Sequence, residues 1–326
     1  MSFFAVLLAL IVEQLKPLPR ENFIHDGLFS WMSWTGRNLD AGRRHHAWVV
    51  WSVTVGVPAI TVAVLHYVIA GQSLLLALAL NVAVLYLTLG FRQFSHYFTA
   101  IRDAIERGDE LSARRHLAQW RYLNADDLSR HELLRTVLEH SLLAAHRHVF
   151  GVFFWFVLLS AAGLGPAGAV LYRMAEFASR YWTFKQRTTE GGPHERLMEL
   201  CQRTFAAMDH FPARLTAFGF AVVGNFEEAI NGWRRDAQLW LNPNDGALLA
   251  SAAGALGVQL GGKSDTIEAE AAGQGVLFDD PLASRGSTPG MLARSAHLHS
   301  LVGLVWRSVV LWMLLLALLT LANVLG

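Results

Sequence analysis

Long apolar blocks alternate along the chain with polar stretches of helical pattern. Residues 47–91 contain no Asp, Glu, Lys or Arg. A membrane-spanning helix needs about 20 mostly apolar residues, so this block is long enough for two spans. We place them at 48–70 and 74–91, on either side of the turn at 70–73. Buried helices of a large soluble core are the alternative, and the length of the apolar run argues against it.

Three further apolar segments complete the predicted membrane part. Residues 301–325 form a third strong span. Residues 2–15 are apolar but short, and because they lack the features of a cleaved signal peptide we predict a retained membrane helix. Residues 149–182 carry no charge in their first part, and their centre, G-L-G-P-A-G at 163–168, predicts a helix break. The two limbs around that break form either a re-entrant hairpin or two short spans.

The polar stretches are also predicted to be helical, because apolar residues recur in them at helical spacing. These predicted helices cover 94–108, 111–122, 128–149 and 193–208. Ser129 and Glu132 fit a capping box at the start of the third. Residues 212–223 are apolar but too short to span, and 261–287, rich in Gly, Ser, Asp and Glu, predict a mobile loop. The predicted fold class is all-α, a polytopic helical integral membrane protein with helical cytoplasmic regions.

Composition strengthens the membrane interpretation and excludes other classes. Of 326 residues, 53% are hydrophobic and 16% are charged, whereas about 25% are charged in ordinary globular chains. The mean hydropathy is +0.32. A formal net charge of +1 gives no basis for a nucleic-acid partner. The single cysteine, Cys201, excludes an internal disulfide and a cysteine metal cage.

Basic residues predict the orientation, because those near span ends tend to stay in the cytoplasm. They cluster in segments 16–46 and 92–148, whereas the 70–74 turn carries none. We therefore expect a bacterial inner-membrane protein whose polar regions are mainly cytoplasmic. The chain divides into segments 1–91, 92–148, 149–182, 183–300 and 301–326. An odd number of crossings within the third segment would place the fourth on the outer side.

One stretch fits the P-loop spacing G-x-x-x-x-G-K-[ST], running from Gly257 through Gly261-Gly262-Lys263 to Ser264. A P-loop follows a buried strand and opens a helix. Residues 248–256, which precede the motif here, are Ala-rich without a β-branched residue, so they predict a helix. The spacing alone therefore does not indicate a nucleotide-binding fold. The alternative that this glycine-rich segment contacts a phosphate or an amide-rich ligand by another geometry remains open.

Charges inside apolar segments are the other candidates for a site. Arg173, Glu176 and Arg180 share one helix face at i, i+3 and i+7, and Arg214 follows Pro212 in an apolar run. Ionisable groups at membrane depth are costly and usually face a cavity or a partner. A structural salt bridge and an anion site that uses the arginines both remain open. The histidines show no metal-ligand spacing, so we predict no metal site.

Three motifs in the second half of the chain resemble the CobD/CbiB family. They are G-P-A-G-A-V-L-Y-R at 165–173, P-A-R-L-T at 212–216, and P-N-D-G at 243–246 with A-L-G-V-Q-L-G-G at 255–262. Arg135 and Glu139 fit the R-A-x-x-E pattern of the family, with Thr136 in place of the Ala. In the family the glycine pair is not followed by Lys-Ser, which makes the P-loop spacing accidental.

The resemblance implies an inner-membrane protein of late cobalamin synthesis, similar to adenosylcobinamide-phosphate synthase. The implied reaction is ATP-dependent amide formation between cobyric acid and aminopropanol or its phosphate, with magnesium. The implied partners are membrane lipid and a corrinoid or other anionic small molecule, and self-association into a homo-oligomer is left open. The predicted site comprises acidic catalytic positions Glu139 and Asp209, and ligand-binding positions Arg173, Glu176, Arg214, Asn242, Asn244, Gly246, Gly257, Gly261, Gly262 and Lys263.

Several acidic positions of the family motifs are replaced in this chain. The segment E-T-V-A-E-N is E-H-S-L-L-A at 139–144, and N-T-L-D is E-F-A-S at 176–179. We therefore predict a divergent site and leave open whether catalysis is retained. Residues 1–15, 208–215 and 230–233 also resemble AmpE-like proteins. A non-enzymatic membrane sensor linked to β-lactamase induction is accordingly the alternative.

Overall fold

The computed structural model describes residues 2–15, 23–39, 44–121, 125–126, 128–188, 195–262 and 286–325. Within these ranges the chain is helical, with two isolated β-bridges and no strand, which confirms the all-α prediction. The α-helices are α1 Ser2–Leu15, α2 Phe23–Leu39, α3 Arg44–Trp51, α4 Val57–Ala70, α5 Leu74–Thr88, α6 Phe91–Glu106, α7 Glu110–Arg121, α8 Arg130–Ala145, α9 Gly151–Ala161, α10 Ala167–Thr188, α11 Glu195–Val223, α12 Phe226–Asp236, α13 Pro243–Leu256 and α14 Ser295–Leu325.

Three helical stretches of the described chain are long and apolar enough to cross a membrane: His46–Ala70, Arg130–Ala161 and Ser295–Ala322. The first and last confirm predicted spans. The middle one arises because α8 continues into α9 through a π-helical turn at His146–Phe150, where we expected a polar helix and a separate apolar limb. The second predicted span is shorter than expected, since α5 has 15 residues and ends before an extended Leu89.

The predicted break at the centre of the apolar hairpin is confirmed. Helix α9 ends at Ala161 and α10 begins at Ala167. Gly163 and Gly165 between them adopt φ angles of 80° and 58°, which are accessible to glycine at little cost. At Gly165 a Cβ would lie 2.2 Å from the ring of His66, so any larger residue would push this turn away from the first span.

Helix α11 runs through Pro212 without ending there, over 29 residues from Glu195 to Val223. We had expected a polar helix and a separate apolar segment on either side of this proline. Proline has no N–H, so the carbonyl of Met208, four residues earlier, loses its helical donor. The indole Nε1–H of Trp155 donates to that carbonyl at 3.2 Å. This side-chain bond replaces the missing backbone bond and allows the helix to continue.

By its contacts the chain forms two compact units. The first unit contains residues 1–93, 147–208 and 316–326, and the second contains 94–146 and 209–315. In the first unit α2 and α10 share a buried aromatic cluster. The ring of Trp182 packs directly on Gly36, where a Cβ would lie 2.1 Å from the ring. The predicted five-part division concerns the sides of the membrane and stays a prediction.

The second unit is organised around α13, whose residues 244–253 are all buried. Small residues allow close helix packing: a Cβ on Gly254 would lie 2.2 Å from the carbonyl of Glu228 in α12. The hydroxyl of Ser251 donates to the carbonyl of Ala217 in α11 at 2.7 Å. Helix α8 packs against α13 as well. The predicted site residues of the second unit lie on these helices and on the segment after α13.

Candidate functional site

The N-terminus of α13 holds three of the predicted ligand-binding residues. Asn242 caps the helix, since its side-chain oxygen accepts from the N–H of Asn244 at 3.0 Å. Its Nδ2 donates to the Asp245 carboxylate at 3.2 Å. Pro243 occupies the first helical position, where a missing N–H costs nothing. At Gly246 a Cβ would lie 2.1 Å from the Ala237 carbonyl, so this glycine serves close packing.

Arg214 on α11 reaches this N-terminus. Its Nη1 donates to the side-chain oxygen of Asn244 at 3.0 Å and to the carbonyl of His210 at 2.9 Å. Both acceptors are neutral, so neither cancels the charge of the guanidinium. Partial burial lowers the pKa of Arg214, and the charge of the Asp209 carboxylate opposes this effect. A cation held by neutral oxygens at a helix N-terminus is suited to an anionic group.

Glu139 on α8 anchors the glycine-rich segment that follows α13. Its Oε1 accepts from the N–H of Gly261 at 2.6 Å, across 122 residues of sequence. The Nε of Arg135, one turn earlier on α8, lies 3.8 Å from the same oxygen. Glu139 is buried. The carboxylate therefore joins a helix to a loop that is far away in the sequence.

The glycine-rich segment itself is not a P-loop. Helix α13 precedes it, as predicted, and Gly257 ends that helix with a left-handed φ of 66°. Four successive N–H groups donate to protein acceptors: Gln259 to the Met291 carbonyl, Leu260 to the Thr288 hydroxyl, Gly261 to Glu139, and Gly262 to the Gly286 carbonyl. These amides are occupied within the fold, so they do not form a phosphate cradle. Lys263 lies outside the described residues.

Asp209, the second predicted acidic position, is paired with a histidine that the sequence did not single out. The Nε2 of His146 lies 2.8 Å from Asp209 Oδ1, and its Nδ1 lies 3.0 Å from the Thr216 hydroxyl. His146 follows Glu139 by seven residues, which is two helical turns along the same face. That spacing is the signal that would have placed His146 on the same face of the helix as Glu139, about 10.5 Å further along it.

Arg173 and Glu176 belong to a separate cluster in the first unit. Arg173 Nη1 lies 3.0 Å from Glu176 Oε2, and Arg180 Nε lies 2.6 Å from Glu176 Oε1. The prediction that these three charges share one face of a helix is confirmed. All three residues are on α10, and the remaining described site residues are all in the second unit.

A resident metal does not fit the side chains that the structure describes. No group of three or more His, Cys, Asp or Glu residues in the described ranges is arranged to hold a metal ion. Three buried carboxylates of the second unit are bound within the fold: Glu139 to Gly261, Asp209 to His146, and Asp245 to Asn242. Magnesium is usually held by one or two carboxylates together with substrate phosphates and water. The described side chains therefore form no dedicated magnesium cage, and no step is assigned to magnesium.

Comparison with known proteins identifies the relatives of this chain. The family model of the CobD/Cbib protein matches residues 3–277. Cobalamin biosynthesis protein CobD of Stutzerimonas stutzeri is 31% identical over 281 residues, covering 86% of this chain and 84% of that protein. A protein of the same name from Chromobacterium violaceum is 31% identical over 221 residues, covering 65% and 67%. No solved structure matches the chain.

The fold and the site define an all-α membrane protein with a buried polar cluster on α8, α11 and α13. The family match covers most of the chain and includes every predicted site residue. The chain belongs to the CobD/Cbib family, as its three motifs predicted. The AmpE-like alternative is not supported by these comparisons, since both relatives are named for cobalamin biosynthesis.

Proposed function

We propose that this protein acts late in cobalamin biosynthesis, forming the amide between cobyric acid and aminopropanol or its phosphate. The observation that carries the proposal is the family match over residues 3–277. The relatives named cobalamin biosynthesis protein CobD support it. The location of the polar cluster on matched residues agrees with this role.

Binding of the anionic substrate is assigned to Arg214 and the N-terminus of α13. Cobyric acid presents a carboxylate, and aminopropanol phosphate presents a phosphate. Arg214 is fixed by Asn244, so its donors are oriented before a ligand arrives. The N-terminal end of a helix adds a partial positive charge. Asn242 supports this arrangement by holding the backbone of Asn244.

The amide bond requires an activated carboxylate, and ATP is the proposed co-substrate. A carboxylate oxygen of cobyric acid attacks the terminal phosphorus of ATP, and ADP leaves. The amine then attacks the acyl carbon, loses a proton and displaces phosphate. Glu139 is the carboxylate proposed to lie nearest this chemistry, because it is anchored to the glycine-rich segment shared with the family. The replaced acidic positions make activity the first property to test.

Complementation of a bacterium that lacks its cobalamin amide synthase tests the proposal. We expect growth that depends on the amide product, and purified protein that forms the amide from cobyric acid, aminopropanol phosphate and ATP–magnesium. Membrane insertion of the protein is verified by immunoblot of the membrane fraction. If the inserted protein neither rescues growth nor forms the amide, the enzymatic proposal is wrong.

Arg214→Ala separates ligand binding from folding. The hydrogen bonds of this side chain go to neutral oxygens, and the nearby Asp209 carboxylate keeps its bond to His146 when the guanidinium is removed. We expect at least a tenfold higher KM for cobyric acid, of the order of one lost charged hydrogen bond, with a melting temperature close to wild type. Arg203→Ala is the matched control, since its side chain is exposed and pairs with exposed Glu199. Aggregation of Arg214→Ala would instead make this arginine structural.

We also propose an inner-membrane location with the polar helices in the cytoplasm. The single native cysteine helps to test this, because Cys201 is buried and burial raises the pKa of its thiol. Background labelling by a membrane-impermeant maleimide is therefore low. Gln72→Cys should react in intact spheroplasts and Arg107→Cys only after permeabilisation, since both positions are exposed. The reverse pattern would invert the proposed orientation.

A further inference from the structure

His146 is completely enclosed, yet both nitrogens of its ring bond to α11. The exposed fraction is 0% for His146, 2% for Asp209 and 0% for Thr216. A corrinoid or a nucleotide has no access to a ring in this position. Any effect of His146 on a ligand must therefore act through the residues to which it is hydrogen-bonded.

The ring of His146 connects two side chains of α11. Its Nδ1 lies 3.0 Å from the Thr216 hydroxyl, which also donates to the Pro212 carbonyl at 2.9 Å. Its Nε2 lies 2.8 Å from the Asp209 carboxylate. Both hydrogen bonds are formed where the side chains are buried, so neither partner can replace the ring with water.

The two attachment points lie on either side of the weak position in α11. Asp209 and Thr216 are seven residues apart, or about 10.5 Å along a helix. Pro212 lies between them and lacks a backbone N–H, so at this turn the helix depends on side-chain hydrogen bonds such as that from Trp155 to the Met208 carbonyl. Arg214 lies between them too, and its guanidinium reaches Asn244. One imidazole therefore bridges the stretch of helix that carries the arginine.

We infer that His146 is a positioning residue that bridges α11 across Pro212 and holds Arg214 in the orientation that reaches Asn244. Asp209 then serves as the partner of His146, in place of the acidic catalytic role that the sequence predicted for it. The bridge follows from the contacts alone. Its effect on the ligand rests on the proposed function of Arg214.

Hydrogen exchange of the full-length protein in nanodiscs tests the bridge without any assay of activity. In His146→Gln and in Thr216→Val, we expect the amides of residues 209–216 to exchange about fivefold to tenfold faster, as for the loss of one buried hydrogen bond. Thr216→Ser keeps the hydroxyl and should exchange like wild type. His140→Gln, on the same helix and packed on Trp120, is the control for α8. Unchanged exchange in folded Thr216→Val and His146→Gln would overturn the inference.

Kinetics of amide formation test the effect on Arg214. We expect His146→Gln to raise the KM for cobyric acid about tenfold with kcat within about threefold, because orientation of a binding group is lost. In an Arg214→Gln background the same substitution should add nothing. Additive effects, or a lower kcat at unchanged KM, would contradict the role in positioning. If the wild-type protein forms no amide, the proposed function fails, and the exchange experiment alone decides the bridge.

Discussion

Glu176 in the first unit and Glu139 in the second are both buried and both paired with arginine, but they differ in the sequence distance to their partners. Glu176 binds Arg173 and Arg180 on its own helix. Glu139 binds Arg135 on its own helix and also the backbone of Gly261, 122 residues away. The first cluster stabilises a helix, whereas the second stabilises tertiary structure. Removing the two carboxylates should therefore have unequal consequences.

Glu139→Ala should have the largest effect. It leaves the buried Gly261 N–H without an acceptor and the Arg135 charge, whose side chain is 14% exposed, without its carboxylate, so we expect a loss of about 3 kcal/mol in the free energy of unfolding. Thermal unfolding in detergent measures it. Glu139→Gln keeps an oxygen for Gly261 and should lose clearly less. Equal melting of Glu139→Ala and wild type would show that the carboxylate does not anchor the segment.

Gly261→Ala tests the same connection from the other side. A Cβ there would lie 1.7 Å from the Gly286 carbonyl, at a φ of 73°. Backbone must move, so we expect a loss of about 2–4 kcal/mol. Gly257→Ala is the matched control, since its φ of 66° is similar but the space around it is open; it should lose only about 1–2 kcal/mol. Similar losses for both would assign the cost to φ alone.

Glu176→Gln should have a smaller effect, of about 1–2 kcal/mol. Arg173 and Arg180 are partly exposed, with side-chain fractions of 20% and 27%, so both can reach other polar partners once the charge is lost. Hydrogen exchange should rise within α10 only. A loss as large as that of Glu139→Ala would remove the distinction between the two clusters.

Ser129→Ala should have the smallest effect, about 1 kcal/mol. It removes the hydroxyl of the capping box that starts α8, while the Glu132 carboxylate still accepts from the Ser129 N–H at 2.8 Å. Ser300→Ala, at an exposed site inside α14, should be close to neutral. The difference in melting temperature between these two variants measures the cap. No difference would mean that tertiary packing alone determines where α8 begins.

The same contrast explains what could be predicted from the sequence. Spacing along one helix predicted the Arg173–Glu176–Arg180 face and the capping box, because these partners lie within seven residues. The Ala-rich stretch before Gly257 likewise predicted α13. Neither the bond between His146 and Asp209, which spans 63 residues, nor that between Glu139 and Gly261 could be predicted from spacing. Those contacts depend on which helices pack together.

Pro212 shows a second limit of sequence reasoning. Proline predicts a helix end because it removes a donor. Here a tryptophan from a distant helix replaces that donor, as Trp155 bonds to the Met208 carbonyl. Pro212 does remove a backbone donor, as expected from the sequence, but the tertiary contact with Trp155 allows the helix to continue. The site residue Arg214 therefore lies inside a continuous helix and not in a separate apolar segment.

The short apolar helices α1 and α5 have a consequence for the lipid around them. They contain 14 and 15 residues, which rise about 21–23 Å, whereas the hydrocarbon layer of a bilayer is about 30 Å thick. The two helices pack against each other. If both cross the bilayer as the sequence predicts, we expect the lipid beside this pair to thin to match them, and bilayers of shorter acyl chains to accommodate the protein with the least distortion.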